Sequence, residues 1–300
     1  MNAADIESMI RALSNWGRWG RDDQLGALNL ITPEKKRQAV ALVREGGSFS
    51  LAHPVIKTAV GDTAAFGHSM LETGAAERIE SSAGDSFSLA VHGYMQTHLD
   101  ALCHVLHHGR MFNGYTLQEI GAQGSRQFGV ERIRDGIFTR GVLMDMARLK
   151  GADYLPGATP ILPADLDAWE RQSGLRIQPG DAVLVRTGRW ARHRAHGVWD
   201  IERDSAGLHA STLPWLKQRD IAVLASDLAA DVMPSGVEGV RLPVHLVAIA
   251  AMGVPIIDNC DLEALGAWAA ERRQWEFLLT AAPLVVEGGT GSPINPVATV

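Results

Sequence analysis

The sequence predicts an α/β fold, and two observations carry that prediction. From about residue 140 onward, short apolar strands alternate with helical segments, the pattern of a sheet built from strand–helix units. Two of those short apolar strands end in a carboxylate, Asp227 and Asp258.

Residues 5–14 read as a short helix. Asn15-Trp16-Gly17-Arg18-Trp19-Gly20 follows, a loop whose rings either wall a pocket or anchor the N-terminal arm. Thr32 as N-cap and Pro33 in the first turn start a helix expected to run through Leu42 and Val43 to Gly46-Gly47. Residues 49–56 read as a strand with Pro54 at an edge or bulge. Residues 57–86, rich in Gly, Ala, Ser and Thr, read as a long excursion of loops, a flap over a site. Residues 87–94 alternate as a strand that feeds a histidine-rich stretch. Asn113-Gly114 is a tight-turn pair, and residues 116–120 start a short helix.

Further on, strands are expected at 140–146, 181–188, 221–227, 254–258 and 276–286. Helices are expected at 163–174, from 211, at 243–251 ending at Gly253, and at 262–270. Residues 189–207 read as a surface loop with His193 and His196 solvated, and the tail from Gly288 reads as turns. There is no internal repeat and no linker. One domain, residues 1–300, is expected, with residues 1–50 forming an arm and helix that pack on it.

Hydrophobic residues make up 46% of the 300 and charged ones 21%, the proportions of an ordinary globular protein with a sizeable core. A net charge of −6 and no basic patch argue against nucleic acid as a partner. Two cysteines do not make a disulfide framework. No basic-then-apolar leader opens the sequence, and no apolar run reaches the ~20 residues of a membrane span. A cytoplasmic protein with no membrane partner is the expectation.

The chemistry concentrates in residues 97–108, which hold four of the eleven histidines and Asp100. Imidazole and carboxylate are the ligands of first-row divalent ions where thiolate is absent. His98 and Asp100 stand two apart, so on an extended segment both leave one face and can chelate one ion. His104 and His108 stand four apart, so on a helix they would share a face. Cys103 beside them is a soft ligand, a nucleophile or a small buried residue. Trp16, Trp19, Phe66 and Phe112 are candidate apolar walls for an aromatic small-molecule substrate, or plain core. His209 could reach the site. Asp227 suits an orienting role or a helix cap.

At these residues the chain resembles the cyclase-like metal-dependent hydrolases, the superfamily of bacterial kynurenine formamidases and isatin hydrolase. The resemblance spans nearly the whole chain. It rests on Thr97-His98-Leu99-Asp100-Ala101-Leu102-Cys103-His104, on Asn15 to Gly20, on Arg241-Leu242-Pro243-Val244-His245, on residues 256–262 and on the tail 291–296. Set on the family pattern H-x-G-T-H-x-D-x-x-x-H, it implies His98 and Asp100 as metal ligands, His104 as general acid/base and His108 as a proton relay. Asp258 falls where the family carries a ligating glutamate, and His245 lies close to a histidine that binds a second metal in two-zinc members. Two departures stand out. Tyr94 occupies the first histidine of the pattern, with His92 two residues earlier, and the glutamate is shortened to Asp258. They favour one divalent ion, Mn²⁺ or Zn²⁺, over two.

The resemblance further implies a swivelling β/β/α architecture with a mixed sheet and a homodimer or homotetramer with sites near subunit contacts. It implies hydrolysis of an amide (a cyclic amide or aryl formamide) or an ester. The competing reading is a non-catalytic metal- or ligand-binding member of the same fold. Tyr94 and Asp258 speak for it; His104 and His108, which a pure binding module does not need, speak against it. A dehydrogenase is excluded because no G-x-G-x-x-G follows a strand.

Overall fold

In the computed structural model, residues 1–58 and 66–300 are described. Their centre is a nine-stranded mixed sheet. In chain order its strands are β1 (Ser48–Ser50), β2 (His98–Asp100), β3 (Ile137–Asp145), β4 (Ala182–Arg186), β5 (Val223–Ser226), β6 (Ile256–Asp258), β7 (Glu276–Ala281), β8 (Gly291–Pro293) and β9 (Val297–Thr299). Across the sheet they run β1-β9-β7-β3-β4-β5-β6-β2-β8. The middle four, β3 to β6, are parallel; the flanking strands pair antiparallel.

The parallel strands are apolar without alternation, as strands covered on both faces must be. Val183, Leu184, Val185, Val223, Leu224, Ile256 and Ile257 are all buried. Helices Pro163–Ser173 and Glu263–Arg272 follow β3 and β6 along the chain. Thr32 caps the helix Pro33–Val40 by accepting a hydrogen bond from the Lys35 amide. Gly174, at φ 73°, ends the helix that Pro163 begins. Lys35 reaches Asp181 at 2.6 Å in an ion pair that is almost fully buried. Among the described residues, no helix is long and apolar enough to cross a membrane.

Several expectations change. The helix that Pro33 begins stops at Val40, before Leu42 and Val43. The strand expected over 49–56 is confined to Ser48–Ser50, and the one over 276–286 ends at Ala281. Within the 57–86 excursion, Gly67–Thr73 pairs with Ala83–Ser88 as an exposed hairpin; residues 59–65 lie outside the described part. The strand expected over 87–94 is therefore the end of that hairpin, followed by bends. The expected 189–207 loop contains a helix, Arg189–His196. The tail supplies the strands β8 and β9 rather than turns alone.

Candidate metal centre

Strand β2 is the site's foundation. It lies between β6 and β8, with His98 opposite Asp258. His98 and Asp100 leave one face, while Leu99 enters the core on the other, fully buried. Burying such a leucine is worth about 2 kcal/mol. A slip of one residue would exchange leucine for two charged groups, so the register is strongly fixed.

On that face Asp100 gathers imidazoles. Its Oδ1 lies 2.9 Å from His92 Nδ1 and 3.4 Å from His98 Nε2. Its Oδ2 lies 3.7 Å from His245 Nε2 and 4.0 Å from His104 Nε2. His245 Nε2 also meets Asp258 Oδ2 at 3.0 Å. The His92 and His104 rings stack face to face, centroids 3.5 Å apart and planes 4° from parallel. Two triplets, His92-His98-Asp100 and Asp100-His245-Asp258, are close enough to share an ion, and Asp100 belongs to both.

The far nitrogens of the rings are fixed. His98 Nδ1 donates to the Gln96 carbonyl at 2.8 Å, and His92 Nε2 meets Thr290 Oγ1 at 2.9 Å. His245 Nδ1 sits 2.7 Å from Asp231 Oδ2. Asp231 also accepts from the Val244 and His245 amides, so one buried carboxylate caps the helical run that Pro243 begins and aims the ring at its first turn. With Nδ1 occupied, Nε2 is the atom that His98 and His245 turn toward the cluster.

Behind His98 stands a longer network. Asp227 accepts from the amides of Thr187, Gly188 and Arg189, which fastens the start of the helix Arg189–His196. Arg189 donates to Asn259 Oδ1 at 2.6 Å, and Asn259 Nδ2 donates to the Gln96 carbonyl at 2.9 Å. That carbonyl is the one holding His98. Asp227 is thus both cap and remote support.

Charge follows from this packing. Burial opposes the ionised Asp100, yet its hydrogen bonds with His92 and His98 hold the carboxyl well below the usual range. Burial also opposes charge on His98 and His245, but the surrounding carboxylates win and raise both. His104 goes the other way: burial, with neighbouring imidazoles, outweighs Asp100 and pushes it down to about 4.

Do these residues fit a metal ion? Asp258 Oδ1 is buried without a hydrogen-bond partner. A buried carboxylate oxygen left so is costly unless something positive meets it. Together with imidazole Nε2 atoms whose other nitrogens are tied back, it makes a donor set that fits a first-row divalent ion. The side chains of His98, Asp100, His245 and Asp258 are 2–6% exposed, whereas His92 and His104 are 28% and 30% exposed, so the cluster opens to solvent past those two rings.

The remaining expected residues sit elsewhere or serve packing. The helix that was to align His104 with His108 does not form; residues 101–109 are turns and bends. His108 turns out to solvent and meets Glu7. Phe112 is sealed in the core against Phe128, and Phe66 pairs with Phe87 of the exposed hairpin. Trp16 Nε1 donates to the Ala250 carbonyl and Trp19 packs against the core, so both rings anchor the arm. His209 caps the turn before the helix Leu213–Gln218, its Nδ1 accepting from the Ser211 amide. Burial pushes the Cys103 thiol up to about 11. Tyr94 binds Glu202 and Arg241 through its hydroxyl, away from the cluster.

Sequence reasoning missed His92, Asp231, Asn259 and Arg189. His92 had a signal: it stands two residues before the pattern's first position, and the bends after it bring its ring to Asp100. Asp231 had none, since nothing local marks it as the partner of His245.

Fold and cluster together define a mixed α/β protein with a histidine–carboxylate centre beside the end of a parallel sheet. A family model described as "Putative cyclase" matches residues 47–231, and the chain belongs to this cyclase family. A crystal structure described as a novel cyclase is 31% identical, covers 96% of this chain and 99% of its own, and superposes with a TM-score of 0.86. Isatin hydrolase A from Ralstonia solanacearum is 18% identical over 87% of this chain and 93% of its own, with a TM-score of 0.62. A protein described as a predicted metal-dependent hydrolase from Bacillus stearothermophilus is 17% identical over 85% and 98%, with a TM-score of 0.54. At those identities the last two share the fold alone. No curated protein matches the sequence.

Proposed function

We propose that the protein is a metal-dependent hydrolase of a small-molecule amide, a cyclic amide or aryl formamide, or of an ester. The observation that carries this reading is a neutral His104 set beside Asp100, within a cluster whose Asp258 Oδ1 is buried and unpartnered. The fold shared with isatin hydrolase supports the cyclic amide as the first substrate class to try.

His98, Asp100, His245 and Asp258 would hold the ion, Mn²⁺ or Zn²⁺. When bound, such an ion acidifies a water and polarises a carbonyl oxygen. The residues themselves do the rest. His104 is uncharged near neutral pH, since its pKa is pushed to about 4, and its ring is partly open to solvent beside the buried carboxylates. It takes a proton from the attacking water and returns it to the leaving nitrogen or oxygen, a role worth roughly 10²–10⁴-fold in rate. The stacked His92 ring fixes the plane in which His104 works. Asp231 keeps His245 from turning.

The test is reconstitution of metal-stripped protein with Mn²⁺ or Zn²⁺, followed by a panel of isatin-type lactams, N-formyl aryl amines and lactones. Ion-dependent hydrolysis that disappears in His104→Ala, with the ion retained, supports the reading. Full turnover by His104→Ala overturns it.

A further inference from the structure

A second histidine–carboxylate cluster lies outside the centre. His107 Nε2 is 2.8 Å and His108 Nε2 is 2.9 Å from the same oxygen, Glu7 Oε1. Glu7 belongs to the N-terminal helix Ala3–Leu13, and the histidines belong to the turn just after His104. We propose that Glu7, His107 and His108 form a second, solvent-facing site for a divalent transition ion, which clips the N-terminal helix to the segment carrying His104.

Three observations support it. First, the ligand atoms of all three residues lie within 4.8 Å of one another, as a single ion requires. Second, adjacent side chains do not ordinarily converge, and here the backbone is bent to make them do so. His107 and Arg110 exchange backbone hydrogen bonds of 2.8 and 2.9 Å across a two-residue turn. The turn residues, His108 at φ 47° and Gly109 at φ 69°, both have positive φ. That conformation favours asparagine or glycine in the first place. A histidine there holds a left-handed backbone that side-chain-bearing residues seldom take, the kind of local strain found where a side chain is held for a purpose. Third, the other groups around Glu7 leave Oε1 to the imidazoles: Arg11 approaches only Oε2, at 4.0 Å.

The chemistry selects the ion. Two imidazoles and one carboxylate with open positions suit Zn²⁺, Co²⁺, Ni²⁺ or Cu²⁺ rather than Mg²⁺ or Ca²⁺, which prefer all-oxygen sets. With the His108 side chain 77% exposed, the remaining positions face water. A weaker, exchangeable ion is expected here than in the buried centre.

Equilibrium dialysis of chelator-stripped full-length protein against Zn²⁺ tests the proposal by counting ions. Wild type should bind two, of distinct affinity. His108→Gly, which suits the turn's φ, and Glu7→Gln on the N-terminal helix should each bind one. His98→Ala should keep the weaker ion and lose the tighter one, which separates this site from the buried one. The proposal is overturned if wild type binds a single ion that neither surface variant disturbs, or if His108→Gly and Glu7→Gln still bind two. Because both substitutions lie at the surface, the comparison stands even where His98→Ala does not fold.

Discussion

Two halves of one twelve-residue stretch behave in opposite ways. At its start, His98 and Asp100 are locked in a three-residue strand between two partners and are almost fully buried. At its end, His107 and His108 sit on a turn, with the His108 side chain 77% exposed. Both halves offer imidazoles; the backbone around them differs. In the strand, register and the burial of Leu99 fix where each donor points. In the turn, local φ angles and one helix carboxylate do. A metal-ligand pattern in sequence therefore marks donors but does not tell which share an ion.

The largest expected effect breaks the buried half. His98→Ala should abolish tight ion binding and ion-dependent turnover together, read by metal analysis after gel filtration. Next, His104→Ala should keep the ion and lower kcat by about 10²–10⁴-fold. Asp231→Asn leaves the ligands in place but releases His245, so ion affinity should fall about 10–100-fold by competition with a chromogenic chelator. Asp227→Ala removes the acceptor of three buried amides; a loss of about 3 kcal/mol is expected in urea unfolding. The smallest effect concerns Cys103, midway along the stretch. Burial keeps its thiol protonated, pushed up to about 11, so iodoacetamide should leave it unmodified in native protein at pH 8 and label it after denaturation.

Much of the fold was legible. The Thr32-Pro33 start and the Pro163 to Gly174 span are local signals, and the structure uses them locally. The parallel strands were legible because burial on both faces leaves an uninterrupted apolar run. The helix Arg189–His196 was not, because its cap is Asp227, which lies far along the chain and carries no local signature. The helix expected through His104 and His108 fails for a related reason: spacing of four fits a helix, but the His108-Gly109 pair takes positive φ and makes a turn. At the centre, His98 and Asp100 were legible from strand periodicity. That His92, rather than Tyr94, meets Asp100 depends on bends no periodicity encodes. Asp231 and Asn259 act only through tertiary contacts.

The most direct test of the central claim is an anomalous-difference map from crystals of protein loaded with Mn²⁺ and collected at the manganese edge. The account predicts a peak within bonding distance of Asp100 and Asp258 and of the Nε2 atoms of His98 and His245, with His104 close by. A peak placed elsewhere, or none at that cluster in protein shown to hold manganese, would contradict it.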